Sequence, residues 1–222
     1  MSRHFYIGSI FLVLVLFVFS GIGNTQEEYV MKFGWADPPD PLGHSTSAYA
    51  VVLKSEVERL SGGRIKVELY PAGQLGDQRS GTEQVRKGTI EAYNISSGVL
   101  ASLYYPELGI FDMPFVFSSR EVARRVLDSQ NPFTRKLIEG CAQKTGIRCF
   151  LAPFGLRHLC NSVRPIRTPD DMKGLKIRTM EIVPHMKLIE SLGASPIPIP
   201  FLELYTSLQT GVVDGAEGTL QN

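Results

Sequence analysis

The chain has 222 residues, enough for one large or two small domains. Lys plus Arg number 23 and Asp plus Glu 22, a balance that excludes the basic excess of a dedicated nucleic-acid binder but not a local cluster of Arg around one anion. The hydrophobic fraction of 43% is ordinary for a globular protein. At the start, Arg3 and His4 precede an apolar run from Phe5 to Phe19, broken only by Gly8 and Ser9. Gly21-Ile22-Gly23 places small residues two apart, and the chain turns polar at Asn24. This pattern predicts a secretory signal peptide over residues 1–23. The alternative is an uncleaved anchor, for which the run is short of the roughly 20 apolar residues a span needs. No Cys follows the run, so a lipoprotein anchor is not expected, and no second run of spanning length predicts a membrane segment.

The remaining chain alternates strand-like and helix-like segments. Tyr29 to Ala36 reads as a strand, and a Pro- and Asp-rich loop follows to His44. Ser45 is the expected N-cap of a helix with Ala48, Val51, Val52 and Leu60 on its apolar face. Ile65, Val67 and Leu69 alternate with charged residues, which predicts a second strand. Asp77 is expected to cap a helix that Gly88 stops, and Ile90 to Ile95 reads as a third strand. Helices are expected near Ser119 to Leu127 and Pro132 to Thr145, then a strand from Ile147 to Ala152. The pattern restarts after Pro153. It predicts strands at Leu156 to Asn161 and Leu175 to Thr179, and a helix at Val183 to Leu192. An extended segment at Ala194 to Ile199, a short helix at Leu202 to Thr210 and a last strand at Val212 to Asp214 complete the reading. Such alternation defines an α/β fold on largely parallel sheets. The expected units are residues 24–153 and 154–222.

Cys141, Cys149 and Cys160 match no zinc or redox spacing. They read as small buried hydrophobes, although an oxidising compartment would allow one pair to join and would leave one thiol over. His44, His158 and His185 show no metal-ligand spacing, and no metal or cofactor is expected. Cys160 and His158 share one strand face, but nothing orients them as a catalytic pair. Arg178 falls at the carboxyl end of its strand, where ligand crevices form in open α/β sheets. Spacing alone leaves it as either a carboxylate anchor or a structural Arg.

Several motifs occur in register. They are Leu69-Tyr70-Pro71-Ala72-Gly73-Gln74-Leu75-Gly76-Asp77, Met113-Pro114-Phe115-Val116, Lys173-Gly174-Leu175-Lys176-Ile177-Arg178, Leu192-Gly193-Ala194-Ser195-Pro196, and the run from Glu203 to Glu217 ending in Val213-Asp214-Gly215-Ala216-Glu217. Together they resemble the extracytoplasmic receptors of tripartite ATP-independent periplasmic (TRAP) transporters, the DctP family. The resemblance implies a two-lobed periplasmic binding protein that closes on a small organic carboxylate and delivers it to TRAP membrane subunits driven by an ion gradient. It implies that Arg178 pairs with the ligand carboxylate, that Arg157 lines the same cleft, and that Phe201 packs on the ligand. Ser96 and His44 match segments that supply polar contacts. Ser96 is also readable as a cap and His44 as a solvated loop residue. Family receptors commonly carry Asn after Asp-Gly-x-Glu, where this chain has Gly218. Glu217 is expected to make a structural hydrogen bond or to contact a ligand hydroxyl. Family members also run further, so the second lobe is expected to be incomplete at its C-terminal end. The rival readings are a receptor for another uptake or sensing system and an exported enzyme.

Overall fold

The computed structural model describes residues 27–153 and 155–219; the leader expected over 1–23 lies outside them. Two sheets organise the chain. In the first, β1 (Tyr29–Gly34) lies between β2 (Ile65–Tyr70) and β3 (Ala92–Tyr93), and both pairings are parallel. Parallel neighbours need crossovers, supplied by α1 (Ser45–Leu60) and α2 (Gln78–Lys87). Asp77 caps α2 as expected, its carboxylate accepting from Ser80 N at 2.7 Å, and Gly88 ends the helix at φ 71°. The expected third strand shrinks to two residues.

The buried face of α1 differs from the one expected. Val51, Val52 and Leu60 are exposed, while Thr46, Ser47 and Ala50 are buried, with Leu53 and Val57 packed behind them on the Phe33–Trp35–Val67 core. Two polar residues lead this stripe, and the fold satisfies the second of them. Ser47 Oγ accepts from Trp35 Nε1 at 3.1 Å and donates to the Pro38 carbonyl. A hydropathy pattern counts them as surface and rotates the face accordingly. The N-cap is also one residue earlier, at His44 rather than Ser45, and His44 makes no side-chain cap bond.

A helical layer follows: α3 (Ser97–Leu103), a 3₁₀ turn (Pro106–Asp112), α4 (Arg120–Leu127) and α5 (Pro132–Thr145). Leu100, Leu108, Cys141 and Ile147 form its core. The strand expected from Ile147 to Ala152 does not form. Ile147 is buried, but among the described residues no strand pairs with this segment, and without a ladder its apolar composition cannot make a strand.

The second sheet has the order β4 (Arg157–Asn161), β7 (Gly215–Thr219), β5 (Lys176–Thr179), β6 (Ser195–Pro198). β5 runs parallel to both neighbours, and β4 is antiparallel to β7. Pro196 and Pro198 are tolerated because β6 is an edge strand. Helices α6 (Val183–Ser191) and α7 (Leu204–Gln209) flank the sheet, and Met172, Leu175, Ile177, Ile189 and Ala194 pack as its core. The last strand starts at Gly215, not at Val212 to Asp214. Asp214 instead braces the sheet, its Oδ2 accepting from Lys176 N at 2.7 Å and its N donating to Lys176 O at 2.8 Å. A Cβ at Gly215 would stand 2.1 Å from Cys160 O, so the strand opens with a residue that β-propensity disfavours.

The two sheet units touch where side chains are small. Gly98 of α3 lies against Ile182, the residue before α6, and a Cβ there would sit 2.6 Å from Ile182 Cδ1. Gly73, at φ +70°, lies under Leu202. The fold class is α/β, as the alternation predicts.

Candidate functional site

Ile177 of β5 and Leu175 just before it face the core, so the alternate residues point to the other face. Lys176 there is exposed, but Arg178 is only 3% exposed. Arg178 lines a groove between the two sheet units, with Met180 and Phe201 on its own side and Ala36, Gln78 and Arg79 on the other. Its Nε donates to Ile199 O at 2.8 Å. Among the described residues no carboxylate stands within ion-pair distance of it. Burial pulls the affinity of this guanidinium for its proton down, and the Glu217 charge opposes the effect. An Arg stays charged regardless, so the groove holds a buried cation whose terminal nitrogens make no hydrogen bond to the described residues.

Beside it runs a buried polar chain. Ser97 Oγ donates to Asp112 Oδ2 at 2.7 Å. His185 on α6 stands between two carboxylates, with Nε2 3.6 Å from Asp112 Oδ1 and Nδ1 3.4 Å from Glu217 Oε1. Glu217 also accepts from Met180 N at 3.1 Å and is ion-paired with Arg157. Burial alone would raise the Glu217 carboxyl above its ordinary 4.5, but the His185 and Arg157 contacts outweigh it and bring the carboxyl down to about 2.

The five residues expected at the site divide. Arg178 and Phe201 line the groove. Arg157 on β4 is engaged by Glu217, close enough for its charge to act on Arg178. Ser96 is the N-cap residue of α3; its hydroxyl donates to Asp112 at 3.3 Å and its N–H to Gln78 Oε1 at 2.9 Å. His44 caps α1 positionally, with Nδ1 buried and unpartnered. Sequence reasoning missed Gln78, Arg79, Asp112 and His185. Arg79, one residue past the start of α2, faces the groove from the first sheet. Its only sequence signal is its position behind the capping Asp77. Asp112 and His185 lie 73 residues apart, and no local pattern joins them. Cys160 Sγ donates to Ala216 O at 3.4 Å rather than to His158.

The geometry is thus a groove between two α/β units, lined by a buried Arg at a strand end. Residues 40–222 match the family model "Bacterial extracellular solute-binding protein, family 7" (DctP), and the chain belongs to that family. It is 39% identical over 165 residues to a solute-binding protein of Verminephrobacter eiseniae, covering 74% of this chain and 48% of that one. It is 35% identical over 158 residues to the 2,3-diketo-L-gulonate-binding periplasmic protein YiaO of Escherichia coli, covering 70% and 46%. Among solved structures, a TRAP periplasmic solute-binding protein from Polaromonas bound to D-erythronate superposes with TM-score 0.80 at 36% identity, over 86% of this chain and 61% of that one. The chain thus spans about half the length of these curated relatives. The two-lobed architecture expected from the motifs is the fold of these neighbours.

Proposed function

We propose that this chain is the solute-capturing receptor of a TRAP transporter, exported to the periplasm, and that it binds a small organic carboxylate between residues 24–153 and 154–222. One observation carries the reading: Arg178 is buried at the groove without a carboxylate partner among the described residues. A buried charge is costly unless it is paired, and a planar guanidinium fits a carboxylate through two parallel hydrogen bonds. A ligand carboxylate supplies that partner. Phe201, 36% exposed on the groove, gives the ligand an apolar wall. Arg157 takes part with its charge shared with Glu217. Ser96 contributes through Gln78, whose Oε1 accepts from its N–H at 2.9 Å, and His44 is the polar candidate on the loop before α1.

Because the YiaO relative is described as binding a sugar acid and the Polaromonas structure holds D-erythronate, hydroxylated monocarboxylates are the first ligand class to test. Gln78 and Arg79 across the groove suit hydroxyl or carboxyl oxygens at the far end of such a ligand. Capture follows from closure, since the closed arrangement is favoured only by the contacts the ligand gains in it. The closed form then docks on the transporter's membrane subunits. No turnover is expected, and a sensing role would keep the same site but use another partner. A thermal-shift panel of sugar acids, dicarboxylates and neutral sugars tests the reading. Stabilisation by one or more acids, with none from the matching neutral sugars, is the expected outcome. Equal stabilisation by neutral sugars removes the carboxylate from the account.

A further inference from the structure

Two of the three cysteines meet in the core of the helical layer. Cys141 is fully buried on α5, five residues before Gly146 ends the helix at φ +78°. The chain turns there, and Cys149 packs back against the cluster that contains Cys141. Both thiols are free. They lie eight positions apart in the chain, and the turn at Gly146 lets Cys149 pack on the cluster in which Cys141 is buried. Contact with Cys149 brings the Cys141 thiol down to about 7 against the opposing effect of burial, helped by Thr145, whose Oγ1 is 3.7 Å from Cys141 Sγ. The same contact, with burial, pushes the Cys149 thiol up. Cys160 stands apart, exposed on β4 in the other sheet unit.

We propose that Cys141 and Cys149 are joined by a disulfide in the exported protein, clipping the end of α5 to the segment that follows it. The proposal rests on the export named above, because a disulfide persists in an oxidising compartment. The oxidant is an exchangeable disulfide, either of a thioredoxin-fold oxidant protein or of oxidised glutathione. The Cys141 thiolate attacks one sulfur of that disulfide, forming a mixed disulfide and releasing one oxidant thiol. Cys149 then gives up its proton and attacks the Cys141 sulfur, and the second oxidant thiol leaves. Two protein thiols are oxidised and one disulfide is reduced to two thiols. Cys141 is inaccessible once folded, so the exchange belongs to folding. The clip holds a segment, residues 147–153, that pairs with no strand among the described residues.

The test needs no variant. Protein taken from the exported fraction is denatured without reductant, treated with N-ethylmaleimide and weighed by mass spectrometry. One adduct, becoming three after reduction, and a cross-linked peptide joining Cys141 to Cys149 are expected. A second arm refolds the reduced protein in a glutathione redox buffer and maps the bonds, which requires no export. Three reactive thiols in both arms overturn the proposal, as does any bond that uses Cys160. The Cys141–Cys149 bond in the refolded arm alone supports the pairing and overturns export.

Discussion

Glu217 holds Arg157 as an ion pair across the β4–β7 ladder, while its other oxygen faces His185 at 3.4 Å. Arg157 therefore has a carboxylate partner in the protein, and Arg178 has none among the described residues, only the Ile199 carbonyl at its Nε. The two arginines that the motifs set side by side are not equivalent. A ligand at Arg178 meets an unpaired cation, whereas a ligand at Arg157 must share it with Glu217.

Glu217→Gln removes the charge that Arg157 and His185 both contact. Its amide still reaches Met180 N through the oxygen, so the loss should be moderate, on the order of 1–3 kcal/mol at neutral pH, because Arg157 is partly solvated. The pH dependence has a definite sign. The folded-state carboxyl is depressed to about 2 from an ordinary 4.5, so its contribution is complete above 4.5 and is lost as pH falls toward 2. Urea unfolding of both proteins along a pH series should show the gap between them closing over that window. A gap that stays constant down to pH 2 assigns the loss to packing instead.

Gly98→Ala probes the contact between the two sheet units. The added Cβ would lie 2.6 Å and 2.8 Å from two Ile182 carbons and 2.9 Å from Asp112 Cγ. Overpacking of this kind costs about 1–3 kcal/mol, which lowers the midpoint of thermal unfolding by several degrees. Combining it with Ile182→Val should recover part of the loss. Full stability in Gly98→Ala alone would mean that the units pack more loosely than described.

Gly218→Asn restores the residue that family receptors commonly carry. Gly218 has open space where a Cβ would be built, and its partner across the ladder is His158. Stability should therefore change by less than about 0.5 kcal/mol. If Gly218 stands at the proposed site as the family resemblance implies, the preference among ligands in the thermal-shift panel should change, because the new amide adds an NH2 donor group and a carbonyl acceptor. An unchanged ranking of ligands places Gly218 away from the site.

How far the sequence could be read depended on whether the signal was local. Asp77 and Gly88 bound their helix as expected because a cap and a left-handed stop are made by neighbouring residues. The alternation of Leu175 and Ile177 against Arg178 set Arg178 off the core-facing positions for the same reason, while its proposed role as anchor came only from the family resemblance. The α1 face differs from the one expected because buried Ser47 owes its position to Trp35 and Pro38, which periodicity does not register. β7 was placed early because its Gly-Ala start is chosen by close approach to Cys160 O and not by β-propensity. Asp112 and His185 were invisible because their pairing exists only where α6 meets the 3₁₀ turn.

The most direct test of the account is titration calorimetry of Arg178→Lys beside the parent protein, using the acid that stabilises the parent best. Lys keeps the charge and loses the planar fork. Truncating a buried charge pair costs about 3–5 kcal/mol, or roughly two to four decades in affinity, and Arg178→Ala should reach that range. Arg178→Lys should bind at least about tenfold more weakly than the parent, with both variants still unfolding cooperatively. Parent-level affinity in both variants would show that the carboxylate is bound elsewhere.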